Sequence, residues 1–296
     1  MPGWPMPPYP GEGYPTAPHV VDYLAAYEKR YALPIVRGET VTSVVRDRGG
    51  LRVATDTTSW DAAAVISATG TWWRPFLSLV SGEFGGRQLH TVDYDGPAAF
   101  AGQRVVVVGG GNSGAQIAAD LAPVATVTWV TRRPPRFLPD DVDGRALFDL
   151  ASRRARALAA GQADPGGVGS LGDIVAVPPV RVARDAGLLT HRPMFARLAA
   201  DGPMWSDGSR LSVDAVVWCT GFRPTLGHLA SLGLRTAGGA IRTEGTRAVD
   251  EPRLHLLGYG DWTGPGSATL AAVGPTARAA VSEIARQADP DGRAGS

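Results

Sequence analysis

The first quarter of the chain alternates between a helical period and short β patterns. Residues 16–31 predict a helix because their apolar side chains recur at helical spacing, with Thr16 as a candidate cap and Pro18 in the first turn. That apolar face comprises Val20, Val21, Leu24 and Tyr27. The runs "PIVRG", "VTSVVRD" and "LRVATD" predict strands, the last two joined in a hairpin at Gly49–Gly50. "AAVISATG" predicts a buried strand that ends at Gly70.

The rest of the chain repeats strand and helix patterns with hairpins between them. "RVVVVGGGNSGAQIAADL", residues 104–121, predicts a strand, a glycine-rich turn and a helix, and "TVTWVT" predicts the next strand. The further predicted elements are an arginine-faced helix over 145–160, a hairpin at Asp207–Gly208, buried strands in "DAVVWCTGF" and "RLHLLGYGD", and a helix over 267–287 bent at Pro275. Residues 288–296 predict a frayed tail. Alternating strands and helices with interposed hairpins indicate an α/β protein.

Composition narrows the class of protein. The 296 residues are 44% hydrophobic and 19% charged with a formal net charge of +1, which gives no reason to expect nucleic acid as a partner. No apolar run approaches the length of a membrane span, and the first 15 residues lack the pattern of a signal peptide. Cys219 is the only cysteine, which excludes an intramolecular disulfide and a redox pair. A cytoplasmic protein without a membrane partner is the simplest interpretation.

The glycine turn has the spacing of a dinucleotide site. Gly109, Gly111 and Gly114 satisfy G-x-G-x-x-G between a strand and a helix. In such a turn one glycine makes the bend, one lets the backbone approach a pyrophosphate, and the third lets helix pack on strand. The free N–H groups at the helix start then face the phosphates.

The end of the following strand indicates which dinucleotide binds. An NAD site has Asp or Glu there for the ribose hydroxyls, whereas this strand ends in Thr131, Arg132 and Arg133. Arginines suit a 2′-phosphate through charge-assisted hydrogen bonds, so we expect NADP(H). A solvated basic loop in an arginine-rich protein is the alternative.

Two similar strand ends bracket the dinucleotide unit. "VISATG" at 65–70 and "VVWCTG" at 216–221 each end in Thr-Gly, as expected of two chain crossings between domains. We therefore expect a partial FAD-domain region at 1–71, an NADP-binding domain at 72–221 and a return to the FAD domain at 222–296. Two unrelated buried strands with glycine exits would give the same pattern.

A further motif lies between the first crossing and the glycine turn. Phe84, Gly86, His90 and Tyr94 spell F-x-G-x-x-x-H-x-x-x-Y, followed by "GNSG". This resembles the identifying motif of flavin-containing monooxygenases, and the resemblance extends to "GYGDWTGPGSATL", closest to bacterial YUCCA-like and arsenic-operon flavin monooxygenases. Tyr94–Asp95 stands where Baeyer–Villiger enzymes have Trp-Pro, which argues against that branch.

The resemblance implies a two-dinucleotide-binding-domain flavoprotein architecture, a Rossmann-like NADP domain inserted in an incomplete FAD domain. It implies that Asn112 and Ser113 contact NADP, that Asp261 faces the flavin ribityl chain, and that Trp262 and Thr263 line the same region. A turn-forming aspartate is the alternative for Asp261. The resemblance assigns His90 a structural role. Trp72 and Trp73 could flank the cofactor cleft or pack the linker.

The implied reaction is an NADPH-dependent oxygenation of a small-molecule soft nucleophile, an amine or sulfide, through a C4a-hydroperoxyflavin, with no catalytic side chain demanded. The alternative is an NADP(H)-binding module without catalysis, or a degenerate paralogue unable to bind FAD. A disulfide reductase needs a dithiol, which the single cysteine excludes. A hydrolase elbow at Ser113 fails because Ala115 stands where glycine is required.

The family's first unit, with its own glycine motif for FAD, has no match before Gly109. The opening "MPGWPMPPYP" resembles a point about 50–60 residues into a full-length member. We expect either a start codon upstream of Met1, a genuine truncation that binds NADP alone, or completion by rearrangement or by a homodimer that covers exposed sheet edges. FAD binding by these residues alone is expected to be weak or absent.

Overall fold

A computed structural model describes residues 1–142, 144–164, 173–264, 266–270 and 272–288. Its helices are α1 (Ala17–Arg30), α2 (Asn112–Leu121), α3 (Gly144–Ala159), α4 (Pro178–Asp185) and α5 (Val273–Ala288). Its strands are β1 (Val41–Asp47), β2 (Gly50–Thr55), β3 (Ser59–Ala62), β4 (Val65–Ser67), β5 (Arg87–His90), β6 (Arg104–Val108), β7 (Thr126–Thr131), β8 (His191–Pro193), β9 (Arg197–Ala199), β10 (Gly202–Met204), β11 (Ala215–Trp218), β12 (Thr243–Glu244), β13 (Arg247–Ala248) and β14 (Glu251–Leu256).

The chain forms two compact units. Unit 1 comprises Met1–Thr69 and Leu226–Ser296, and unit 2 comprises Gly70–Thr225. Unit 2 is therefore a continuous insertion, and unit 1 is assembled from the two flanking stretches. The first change of unit falls between Thr69 and Gly70, inside the first Thr-Gly strand end. The second falls after Thr225, a few residues beyond the second strand end at Gly221.

Unit 1 contains two sheets. Strands β1, β2 and β3 form an antiparallel sheet, and the β1–β2 turn places Arg48 and Gly49 at φ 38° and 88°, as a two-residue type I′ hairpin requires. The second sheet has the order β12-β13-β14-β4, in which only the β14–β4 pair is parallel. Val44, Leu51, Leu229 and Leu254, drawn from both sheets and the chain between them, pack in the core of unit 1.

Unit 2 is built on a five-stranded parallel sheet of order β5-β11-β6-β7-β8. The valines of β6 are buried on both faces, which explains why this strand is an uninterrupted apolar run. Helix α2 connects β6 to β7 and buries Ile117 and Leu121 on one face of the sheet. A small antiparallel pair, β9 and β10, belongs to the same unit.

Three predictions differ from the structure. "PIVRG" is not a strand: Ile35 and Val36 are 50% and 64% exposed, so no sheet buries them. The last helix starts at Val273, with Pro275 in its first turn, where proline is tolerated, rather than bending a longer helix. The Asp207–Gly208 turn does reverse the chain, since the Trp205 N–H donates to the Ser209 carbonyl oxygen at 2.9 Å and the Leu211 N–H to that of Pro203 at 3.1 Å. The returning arm, however, forms an isolated bridge between Met204 and Arg210 instead of a second strand.

The other predicted elements are present with shifts of a few residues. Thr16 occupies the N-cap position of α1, although its side chain makes no capping hydrogen bond. The predicted tail lies outside the described residues from position 289 onward. No helix within the described ranges is both long and apolar enough to cross a membrane. The same residues hold no cluster of His, Cys, Asp and Glu suited to a metal ion.

Candidate nucleotide-binding site

The glycine turn after β6 is packed so closely that two of its positions have no room for a side chain. Gly109 has φ +144°, and a Cβ there would lie 2.2 Å from the carbonyl oxygen of Cys219. A Cβ on Gly114 would lie 2.1 Å from the carbonyl oxygen of Gly109. A Cβ on Gly111 would meet nothing within 4 Å, which leaves open space beside the start of α2. The first and third glycines therefore serve packing, and the second leaves the backbone accessible.

Neighbouring strands hold this turn in place. The indole Nε1–H of Trp129, on β7, donates to the carbonyl oxygen of Gly109 at 2.7 Å. The Gly109 N–H donates to the carbonyl oxygen of Val130 at 2.9 Å, and the Cys219 N–H donates to that of Val108 at 2.7 Å. The turn is thus fixed from both sides by β7 and the end of β11.

A cavity of about 380 Å³ lies at the carboxyl ends of β6, β7 and β11. In open α/β sheets ligands bind at this edge, where the strand order reverses. The lining residues come from the glycine turn, from the segment after β7 and from the chain beside β11; they are Phe76, Ser78, Val108, Gly109, Gly110, Val130, Thr131, Arg132, Arg133, Pro134, Asp173, Met194, Cys219 and Thr220.

The predicted arginines lie on the cavity wall. Arg132 and Arg133 are both exposed, and the buried Thr131 hydroxyl donates to the Arg133 carbonyl oxygen at 2.7 Å. Thr131 therefore shapes the turn that presents the two guanidinium groups. Asp173, another lining residue, accepts a bidentate pair of hydrogen bonds from Arg136, both 2.9 Å. These bonds lower the pKa of the Asp173 carboxyl.

Asn112 and Ser113 open helix α2 and are both exposed. The Asn112 side-chain oxygen already accepts the Val175 N–H at 2.8 Å, so the structure gives this residue a contact within the protein. Ser113 lines a second cavity, of about 460 Å³, that also includes Tyr94 and Asp120. The expected contacts of these two residues with NADP remain predictions.

Several lining residues were not predicted from the sequence, among them Phe76, Ser78, Asp173 and Met194. Each lies far along the chain from the glycine motif and reaches the cavity through tertiary packing. Cys219 could have been anticipated, because a Thr-Gly strand end next to β6 places its last residues at the same sheet edge. Its thiol is buried, and burial raises the pKa of Cys219 to about 11.

His90 has hydrogen bonds that fit the expected structural role. Its Nε2 lies 3.0 Å from the Gly221 carbonyl oxygen, and its Nδ1 accepts the Val92 N–H at 3.3 Å. Because Nδ1 accepts, Nε2 carries the proton, and burial lowers the pKa of His90. Phe222 packs edge-on against the imidazole and stacks on the exposed Trp72. The two alternatives for Trp72 and Trp73, the cofactor cleft and the linker, both stay predictions.

Asp261, Trp262 and Thr263 belong to unit 1, whereas the glycine turn belongs to unit 2. They form a 3₁₀ helix (Gly260–Trp262) and the residue after it. The Trp262 indole N–H donates to the Ile241 carbonyl oxygen at 3.1 Å. The Thr263 side chain is buried and accepts the Tyr259 N–H at 3.0 Å. Asp261 is exposed. The proposed flavin contacts of these residues are not tested by these bonds.

The described part of unit 1 has no second copy of the phosphate-binding turn. Its helix α1 is preceded by irregular chain instead of a strand, and α5 follows β14 only after a long glycine-containing connection. These residues therefore fit an FAD pyrophosphate poorly, whereas unit 2 fits one dinucleotide well. The parallel sheet, the tight glycine turn and the cavity at the carboxyl edge define a dinucleotide-binding α/β protein.

Comparison with known proteins assigns the family. The profile of the pyridine nucleotide-disulphide oxidoreductase family matches residues 6–144. A flavin-containing monooxygenase from Stenotrophomonas maltophilia is 45% identical, with a TM-score of 0.86 over 97% of this chain and 82% of its own. An oxidoreductase described as CzcO-like from Geobacillus kaustophilus is 26% identical, over 92% of this chain and 79% of its own. The probable indole-3-pyruvate monooxygenase YUCCA8 of Arabidopsis thaliana is 33% identical, over 48% and 37% respectively.

Identity of 45% across most of both chains indicates more than a shared fold. This chain therefore belongs to the flavin monooxygenase family. The resemblance drawn from the F-x-G-x-x-x-H-x-x-x-Y and "GNSG" motifs is thereby confirmed, as is the two-dinucleotide-binding flavoprotein architecture. The family is one of flavin-dependent oxidoreductases that act on small molecules.

Proposed function

We propose that the protein is an NADPH-dependent flavin monooxygenase-type oxidoreductase whose unit 2 binds NADP(H). The observation that carries the proposal is the pairing of a glycine turn that excludes side chains with an arginine pair at the end of β7. A carboxylate at the end of β7 would have favoured NAD, whereas two exposed guanidinium groups suit a 2′-phosphate.

Different residues of unit 2 bind different parts of the nucleotide. The open space at Gly111 lets the backbone approach the pyrophosphate, and the N–H groups at the start of α2 point toward its charge. Arg132 and Arg133 hold the 2′-phosphate, and the apolar side chains of Phe76 and Met194 limit water in the cavity. NADPH held there would supply reducing equivalents, and a flavin, when bound, would supply the redox chemistry.

The proposed substrate is a soft nucleophile, an amine or a sulfide, taken from the family resemblance. Asp261 is the proposed partner of the flavin ribityl chain, with Trp262 and Thr263 beside it. Because the described residues of unit 1 include no glycine turn for FAD, their contacts assign these side chains no step of the reaction.

The nucleotide preference can be tested by titrating the protein with NADPH and NADH. Replacing either arginine, in Arg132→Ala or Arg133→Ala, removes charge-assisted hydrogen bonds worth about 1.5–3 kcal/mol, so NADPH should bind about 10- to 100-fold more weakly. NADH affinity should change less than about twofold, since NADH lacks the 2′-phosphate. Arg286→Ala on α5 of unit 1 makes the same change of net charge and serves as the control.

A wild-type protein that binds NADH as tightly as NADPH would contradict the assignment. Equal losses for both nucleotides in the arginine variants would show that these side chains do not recognise the 2′-phosphate.

A second function is favoured by one observation: the sequence has no G-x-G-x-x-G spacing before Gly109, where a turn for FAD would be expected. We infer that an NADP(H)-binding module without catalysis is the alternative. The visible absorption spectrum after incubation with excess FAD and desalting distinguishes the two. Retained flavin absorption that NADPH bleaches supports the monooxygenase; a colourless protein that binds NADPH supports the module.

A further inference from the structure

Two segments distant in the chain, 136–138 and 173–175, lie side by side, and Asp173 of the second lines the cavity. Phe137 and Ile174 form a parallel bridge, and the Leu138 N–H donates to the Ile174 carbonyl oxygen at 2.8 Å. The N–H groups of Asp173 and Ile174 both donate to the Arg136 carbonyl oxygen, at 2.8 and 3.1 Å. The 136–138 segment is therefore held by the 173–175 segment through main-chain bonds, in addition to the Arg136–Asp173 ion pair.

The 136–138 segment is the far anchor of the arginine turn. Only Pro134 and Pro135 separate Arg133 from Arg136, and prolines fix the backbone torsion φ, so a displacement at Arg136 passes to Arg132 and Arg133. The near anchor is Thr131, at the end of β7. The position of the two guanidinium groups thus depends on both anchors.

The 173–175 segment is in turn tied to the glycine turn. Asn112, the first residue of α2, accepts the Val175 N–H through its side-chain oxygen at 2.8 Å. Ile174, the residue before Val175, is fully buried in the core of unit 2. The segment is therefore held both by this buried side chain and by the hydrogen bond to Asn112. A continuous set of contacts therefore runs from the start of α2 to the arginine turn.

We propose that Asn112 is a positioning residue for nucleotide specificity: by holding Val175 it fixes the 173–175 and 136–138 segments, and through them the arginines that recognise the 2′-phosphate. The inference rests on the proposed function, because it assumes that Arg132 and Arg133 bind this phosphate. It differs from the expected role of Asn112 as a direct NADP ligand, which would act on NADPH and NADH alike.

The two roles are separated by the ratio of NADPH to NADH affinity. Asn112→Ala removes one hydrogen bond, worth about 0.5–1.5 kcal/mol, so NADPH should bind about two- to tenfold more weakly with little change for NADH. Alanine favours the helix, and the side chain is exposed, so α2 should stay folded. Gln116→Ala, at an exposed position one turn along the same helix, is the control and should change neither affinity.

Asn112→Asp provides a rescue. It keeps an acceptor for the Val175 N–H but places a negative charge near the pyrophosphate, which NADPH and NADH share. Both affinities should therefore fall, while their ratio returns toward that of the wild type. Equal losses for both nucleotides in Asn112→Ala, with a normal wild-type preference, would overturn the positioning role.

Hydrogen exchange without nucleotide tests the mechanical link independently. In Asn112→Ala, amides in both the 136–138 and 173–175 segments should exchange faster, about fivefold for a loss of about 1 kcal/mol. Faster exchange confined to Val175 would overturn the link even if the affinities change. A wild-type protein with no preference for NADPH would instead refute the proposed function, and with it the effect on specificity, while the exchange result would still decide the link.

Discussion

Replacing Gly114 with alanine tests whether the glycine turn is as tightly packed as the geometry indicates. The new methyl carbon would lie 2.1 Å from the Gly109 carbonyl oxygen and 3.2 Å from Nε1 of Trp129. The first distance is far below van der Waals contact and involves main chain, so the start of α2 must move away from the end of β6. That movement also disturbs the 2.7 Å hydrogen bond from the Trp129 indole to the same oxygen.

The expected loss of stability combines three contributions. Overpacking of this kind costs about 1–3 kcal/mol, and the disturbed indole bond costs about 1 kcal/mol. Because alanine is a better helix former than glycine, the substitution also stabilises α2 by about 1 kcal/mol. A net loss of about 2 kcal/mol corresponds to a fall in melting temperature of about 4–8 °C for a unit of this size.

Gly111→Ala is the matched control from the same turn. Its Cβ would meet nothing within 4 Å, so there is no clash. Alanine at the N-cap costs less than about 1 kcal/mol relative to glycine, and the stiffer unfolded chain offsets about half of this or more. The melting temperature should therefore change little, while NADPH and NADH should both bind more weakly because the methyl group fills the space proposed for the pyrophosphate.

Thermal unfolding by circular dichroism, followed by nucleotide titration, measures both effects. Equal falls in melting temperature for the two variants would refute the argument, since the structure gives only Gly114 a clash. An unchanged melting temperature for Gly114→Ala would show that α2 can shift freely, and the turn would then not be preformed.

Three further outcomes follow from other contacts. Glu251 is buried and ion-paired with Arg46 and Arg253. Burial alone would raise the pKa of Glu251, but hydrogen bonds from both arginines lower it below 4.5. Glu251→Gln should therefore destabilise the protein by about 1–3 kcal/mol at pH 7 in urea unfolding, and the difference should shrink as the pH falls below 4.5 and the carboxylate becomes protonated. The Cys219 thiol, with a pKa of about 11, should react with a maleimide at pH 8 at least about 100-fold more slowly in the native than in the unfolded protein; equal rates would place it in an accessible, ionised state. Trp129→Phe should lower stability by about 1 kcal/mol or more by losing the indole hydrogen bond to the glycine turn, and no change in urea midpoint would show that this bond contributes nothing.

The local parts of the site could be predicted from sequence because each has a short-range signal. The valine run, the glycine spacing and the helix after it all fall within one continuous stretch, and the end of β7 follows it directly. The β1–β2 hairpin is similar, since a two-residue turn fixes its own register.

The remaining parts depend on contacts between distant residues. Asn112 and Val175 are 63 positions apart, and nothing in either local sequence indicates that one holds the other. Asp173 lines the cavity beside the 136–138 segment, whose Arg136 carbonyl oxygen accepts its N–H across 37 positions of sequence. "PIVRG" has the composition of a strand, but no strand of the described residues pairs with it. Whether a segment finds a partner strand depends on the whole fold and not on its own sequence.

The insertion of unit 2 within unit 1 sets an order for assembly on the ribosome. Residues 70–225 emerge as one stretch, and their ends meet where the Thr225 N–H donates to the Gly70 carbonyl oxygen at 2.9 Å, so this unit can close its sheet early. Val65 of β4 must wait for Leu254 of β14, which at ordinary elongation rates takes roughly 10–40 s. Throughout that interval β4 is an unpaired apolar edge, the kind of surface that chaperones bind. The nascent chain can therefore close the sheet that carries the proposed nucleotide site before the unit into which that sheet is inserted.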